Sequence, residues 1–169
     1  MPQQSNDNWI RFTVNGEARE VQIGDRQGQV APSQTLAETL RRTFGLIGTK
    51  VGCDRGSCAS CTVLLDGEPV LSCMTLTVEC DGRQITTIEG LPDPETGELD
   101  PIQQAYIDHT AYQCGFCTPG MIMATRALLT RNPDPSEAEI KSSLGGHYCR
   151  CISHYHVLEA VADAAGRVR

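Results

Sequence analysis

Aromatic side chains make up only 5% of these 169 residues, with one tryptophan and three phenylalanines. A core built on large rings is excluded, and sixteen glycines add little to burial. Something besides hydrophobic packing must hold parts of the chain together. No apolar run approaches the roughly 20 residues that span a bilayer, so no membrane span is expected. A basic cluster is missing too. The net charge of −7 is spread over both halves, which leaves no Lys/Arg face for phosphates and excludes nucleic acid as a natural partner. The start, MPQQSNDNWIRF, has neither a basic n-region nor an apolar h-region, which predicts a chain without an export signal and a cytoplasmic location. There is also no phosphate loop, no GxGxxG fingerprint and no nucleophile–base pair, so no substrate site is read in this chain.

Cysteine, by contrast, is plentiful, with nine residues. A reducing compartment is poor ground for a disulfide framework, and an odd count leaves one thiol over in any full pairing. Metal or cluster ligation is the better reading.

The periodicity divides the chain in two. Ile10, Phe12 and Val14 alternate with polar residues as in a half-buried strand, and Asn15-Gly16 then turns the chain into EAREVQI as its hairpin partner. Thr35 with Glu38 forms a capping box ahead of a helix that Gly45 stops. Val63–Leu65, Asp66-Gly67 and Val70–Leu71 read as a second hairpin. A last strand is expected over Ile85–Ile88, and Cys80 is placed in a strand as a buried, inert thiol. EGLPDPETGEL, with its prolines, glycines and acids, reads as a linker over residues 89–99. It separates a mixed β unit, residues 9–88, from a helical unit, residues 100–169. In the second unit Asp100-Pro101 opens a helix to about Tyr112, and Thr118-Pro119 opens one to Arg131. Ser136 with Glu139 caps a third, and Val157, Leu158, Val161 and Ala164 line a fourth.

The cysteines sort by these halves. Cys53, Cys58, Cys61 and Cys73 follow C-x4-C-x2-C-x11-C, the plant-type [2Fe–2S] spacing with three thiolates on one loop and a distant fourth. CDRGSCASC surrounds them with small residues, which lets backbone amides point at sulfur. Zinc knuckles pair two C-x2-C units, and the x4 gap fits them poorly. Cys114 and Cys117, with Cys149 and Cys151, form the second set, at helix ends where free N–H groups favour negative charge. Four thiolates from two helix junctions suit zinc as well as an iron–sulfur cluster, so this set alone leaves both open. The four histidines are read as solvated or as supports beside the ligands.

VGCDRGSCASCTVLLDGEPVLSC, YQCGFCTPGMIM and CRC together resemble the iron–sulfur small subunit of the molybdenum hydroxylases, a family that includes xanthine oxidase, carbon monoxide dehydrogenase, 4-hydroxybenzoyl-CoA reductase and quinoline oxidoreductase. The resemblance runs from about Ile10 to the C-terminus. It implies an α+β chain: a plant-ferredoxin-like β-grasp domain, then a four-helix domain, each with one [2Fe–2S] cluster. All eight cysteines of the two sets would then be iron ligands. It further implies a large molybdopterin-binding partner subunit, commonly an FAD-binding medium subunit as well, and electron relay between the two. Gln113 matches the family residue beside the pterin, next to Cys114. Where the family usually reads GNLCRCTGY this chain reads GHYCRCISHY, and Ala59 replaces a common glycine. A free-standing two-cluster ferredoxin and a zinc-stabilised interaction module are the alternatives, although a ferredoxin does not require the helical half.

Overall fold

The computed structural model describes residues 8–168. Residues 1–7, where much of the export-signal reading falls, and Arg169 lie outside the described residues.

Strand β1 (Trp9–Val14) returns as β2 (Glu17–Gln22), antiparallel and in the register Phe12↔Arg19. The turn residues Asn15 and Gly16 both have positive φ, 53° and 81°, which a two-residue type I′ turn requires. Asp66 and Gly67, at 52° and 84°, do the same between β3 (Thr62–Leu65) and β4 (Glu68–Leu71). Strand β5 (Gln84–Thr86) runs parallel to β1 and antiparallel to β3. The sheet order among the described residues is β2-β1-β5-β3-β4. The last strand is shorter than the sequence predicts, because Ile88 turns into a single 3-10 turn.

Helix α1 (Leu36–Glu38) has the expected Thr35/Glu38 capping box, but its continuation, Thr39–Thr43, widens into a π-turn. There the hydroxyls of Thr39 and Thr77 meet at 2.7 Å, and Phe44 N–H reaches back to the Thr39 carbonyl. Cys80 ends a 3-10 helix (Thr77–Cys80) rather than lying in a strand. The hydroxyl of Thr77, which bonds Thr39 and the Gln34 carbonyl, ties this turn to α1 and its approach in place of a strand pairing.

The helical unit begins at α2 (Pro101–Asp108), where Asp100 Oδ1 accepts from Ile102 N–H at 2.9 Å. Its other carboxylate oxygen meets Arg126 at 3.0 Å. This helix stops short of Tyr112 because Thr110 turns to φ 49°. Then follow α3 (Thr118–Arg131), α4 (Glu137–Leu144, with the Ser136/Glu139 capping box) and α5 (His154–Arg167).

Strand β3 joins the two cores. All four of its residues are buried. Alternation sends Val63 and Leu65 to the β core with Phe12, Leu36 and Ile85, and Leu64 to the helical core with Ile102, Tyr106 and Met121. No helix among the described residues is long and apolar enough to cross a membrane.

Candidate metal centres

The first set sits between α1 and the β3–β4 hairpin. Pairing of Thr62 with Leu71 brings Ser72 opposite Cys61, and Ser72 N–H and Oγ both donate to the Cys61 carbonyl, at 3.3 and 2.6 Å. Cys73 therefore lands beside Cys61, a neighbour twelve residues away in sequence. Both are buried in a small pocket with Ala37. Burial, then the adjacent Cys73 thiol, pushes Cys61 up to about 11.

Cys53 and Cys58 lie on the loop before β3. Three of its residues, Asp54, Gly56 and Ala59, have positive φ, which coils the loop and turns its amides inward. Ser57 N–H donates to Cys53 Sγ at 3.3 Å. The amides of Arg55 and Ser57 bring the half-buried Cys53 down to about 7, so its thiolate forms readily. Ala59 holds φ 57° without being glycine, a conformation that costs about 1 kcal/mol. Arg41 braces the approach to the loop through the carbonyls of Ile47 and Thr49, at 2.8 and 2.7 Å.

In the second set the pairing is crossed. Cys151 Sγ lies 3.6 Å from Cys114 Sγ, both exposed, while the buried Cys117 sits beside Cys149. Cys117 immediately precedes α3, and Cys151 lies two residues before Ser153, the N-cap of α5. Burial and the Cys149 thiol push Cys117 up to about 12. Burial also works to raise Cys149, but the amides of Ile152 and Cys151, at 3.3 and 3.4 Å, override it and lower its value. Cys151 is raised by the adjacent Cys114.

The thiols thus meet two by two: 53 with 58, 61 with 73, 114 with 151, 117 with 149. Among the described residues, no three of His, Cys, Asp and Glu gather at a single point as one metal ion would need. With metal–sulfur bonds of about 2.3 Å, two tetrahedral ligands on one metal stand about 3.8 Å apart. The 3.6 Å between Cys114 and Cys151 fits that, and is far too long for a disulfide. Two thiols on each of two metal atoms suits a binuclear cluster.

Cys80 stays apart from both sets. It is wholly buried in the β core, its Sγ 3.6 Å from the Leu76 carbonyl, and burial pushes it up to about 11.

Gln113 is exposed beside Cys114. Around it Leu99, Ile107, Tyr112 and Phe116 are also exposed, and the first three line one groove with Gly115. Of the histidines read as solvated or as supports beside the ligands, His147 is buried, and its Nε2 lies 3.2 Å from the Gly120 carbonyl. Its glycine-flanked position before CRC was a signal only of a turn. His109 ends α2 and pairs with Asp163 of α5 at 2.9 Å, away from the thiols.

The chain matches two families in succession: 2Fe-2S iron-sulfur cluster binding domain over residues 12–86, and [2Fe-2S] binding domain over residues 87–162. It is 43% identical over 159 residues to the nicotine 6-hydroxylase small subunit of Paenarthrobacter nicotinovorans, covering 94% of this chain and 90% of that one. It is 39% identical over 158 residues to the nicotinate dehydrogenase small FeS subunit of Eubacterium barkeri, covering 94% and 95%. Among solved structures, quinoline 2-oxidoreductase from Pseudomonas putida 86 contains a chain that superposes with a TM-score of 0.83 at 41% identity, covering 94% of this chain and 96% of that one.

Proposed function

The chain belongs to the iron–sulfur small subunits of the molybdenum hydroxylases, and from that premise we propose which residues carry its two clusters and where its partners sit. As a member it is an electron-transfer subunit of an oxidoreductase with two [2Fe–2S] domains, and a free-standing ferredoxin is not favoured. Each cluster, when bound, supplies a one-electron redox centre.

The observation that carries the assignment is the pairing of thiols. Cys53, Cys58, Cys61 and Cys73 would hold the first cluster, through the pairs 53/58 and 61/73. Cys114, Cys117, Cys149 and Cys151 would hold the second, through 114/151 and 117/149. The chain's part is to stabilise negative charge on sulfur. The amides of Ser57, Cys151 and Ile152 aim at thiolates, and such hydrogen bonds with the surrounding burial tune the potential. Residues 9–88 form the first cluster's unit and 100–169 the second's, with 89–99 between them.

The second site faces the molybdopterin of a large partner subunit. Exposed thiols at Cys114 and Cys151, exposed Gln113, and the apolar side chains beside them support this. Gln113 meets the pterin and Cys114 lies next to it. The first site then faces outward, towards FAD in a medium subunit. The complex is placed in the cytoplasm.

Iron and acid-labile sulfide analysis of the purified complex tests the assignment. Two [2Fe–2S] clusters per copy of this chain are expected. Zinc in place of iron at the second site, or a single cluster in fully folded protein, would overturn it.

A further inference from the structure

Where the two ligand sets approach each other, several of the contacts fall on or close to the cysteines. Tyr148 N–H donates to the Cys58 carbonyl at 3.1 Å. Tyr148 is bonded to Cys149 and Cys58 belongs to the first set, so one hydrogen bond separates a residue of each site. Gly120, in the first turn of α3, lies against the backbone of Ala59 and Ser60, and a Cβ there would come within 2.4 Å of the Ala59 oxygen. Phe116, between Cys114 and Cys117, closes the same side. A Cβ at Gly52 would lie 3.4 Å from its ring and 3.2 Å from Cys58 Sγ.

His147 ties these pieces together. A carbonyl only accepts, so the ring is protonated on Nε2 and donates to Gly120 O across 27 residues of sequence. Its own amide donates to Leu144 O at 2.9 Å, closing the end of α4. Nδ1 is buried with no partner among the described residues. An unmet buried nitrogen has a cost that a leucine in the same volume would avoid. The Gly120 bond is the contact that offsets it.

We propose that His147 is a positioning residue: it clamps the loop bearing Cys149 to the first turn of α3, and so holds Tyr148 N–H on Cys58 C=O as the fixed contact between the two cluster sites. The proposal rests on the ligand assignment above. Moving one electron between the sites forms and breaks no bond. One site is oxidised and the other reduced by that same electron, so what the chain contributes is separation and rigidity. The route from Cys149 to Cys58 runs through one peptide and one hydrogen bond, with no mobile side chain in it.

The test uses the assembled, cluster-loaded complex. In the wild type, mass-spectrometric hydrogen exchange should find the Tyr148 amide protected by about tenfold or more, although its ring is largely exposed. An unprotected amide overturns the proposal without any variant. His147→Leu keeps volume and loses the donor. It should lose that protection by about tenfold and blur the magnetic splitting between the two reduced sites, with both visible cluster signatures intact. His147→Gln, which can place an N–H near the same point, should restore both readouts. An unchanged splitting in a loaded Leu variant, or a lost one in a loaded Gln variant, overturns it. Should the Leu variant fail to load, wild-type exchange and the Gln variant decide. Iron analysis on the same samples separates failure of this inference from failure of the ligand assignment, since two intact clusters with unaltered splitting sink only the former.

Discussion

Replacing Gly120 with alanine perturbs the junction at its tightest point. The added Cβ would stand 2.4 Å from Ala59 O and 3.0 Å from Ser60 Cα, both backbone atoms that cannot swing aside. Overpacking of this kind costs about 1–3 kcal/mol. Against it stands the helix propensity gained on leaving glycine, at most about 1 kcal/mol and less in a first turn. The clash wins, and the net is a destabilisation of about 1–2 kcal/mol. In a chain of this size each 1 kcal/mol moves the midpoint by about 2–4 °C, so a fall of about 2–8 °C is expected. Cofactor-bearing proteins need not unfold in two states, so the assay compares proteins at one scan rate by the loss of visible cluster absorption. Gly166→Ala is the matched control. It lies in α5 with nothing within 4 Å of the added atom, and the same chemical change there should raise the midpoint by up to about 4 °C. A Gly120→Ala protein as stable as the wild type, or stabilised in parallel with Gly166→Ala, would refute the reasoning.

Cys73→Ser should remove the spectral signals of one cluster, whereas Cys80→Ser should leave both; a cluster lost from the Cys80 variant would show that the ligand sets are wrongly drawn. Gln113→Ala should slow electron transfer out of molybdenum in stopped-flow measurements while iron content stays at two clusters, and an unchanged rate would place the pterin contact elsewhere. Tyr106→Phe removes a buried hydroxyl that lies 3.0 Å from Thr125 Oγ1, which keeps its own bond to the Met121 carbonyl. The expected cost is about 0.5–1.5 kcal/mol, read as a lower midpoint of cluster loss in the same thermal assay, with no change in iron content.

Much of this chain is legible without coordinates because its informative signals are local. The Asn15-Gly16 and Asp66-Gly67 turns need positive φ at both residues, which their types adopt readily, so both hairpins could be placed from the sequence. The Thr35/Glu38 and Ser136/Glu139 boxes mark helix starts for an equally local reason. Spacing alone sorts the cysteines by half, and the family resemblance extends that to two four-thiol sets.

Other features depend on partners distant in sequence. Cys80 is expected in a strand, yet it ends a 3-10 helix (Thr77–Cys80) tied to Thr39 and Gln34. Which thiol neighbours which is likewise a tertiary fact. Spacing puts Cys114 nearest Cys117 and Cys149 nearest Cys151, whereas the packing of α3 against the loop before α5 crosses them into 114 with 151 and 117 with 149. His147 looked like one more polar residue beside a turn. Only the fold reveals Gly120 O at its Nε2 and Cys58 O beside the next amide. Composition and spacing thus marked which residues could hold metal, because ligand chemistry is carried by residue type, and the family resemblance supplied the two clusters. The tertiary structure decided how the two sites are joined, because that depends on backbone groups that every sequence possesses and only folding brings together.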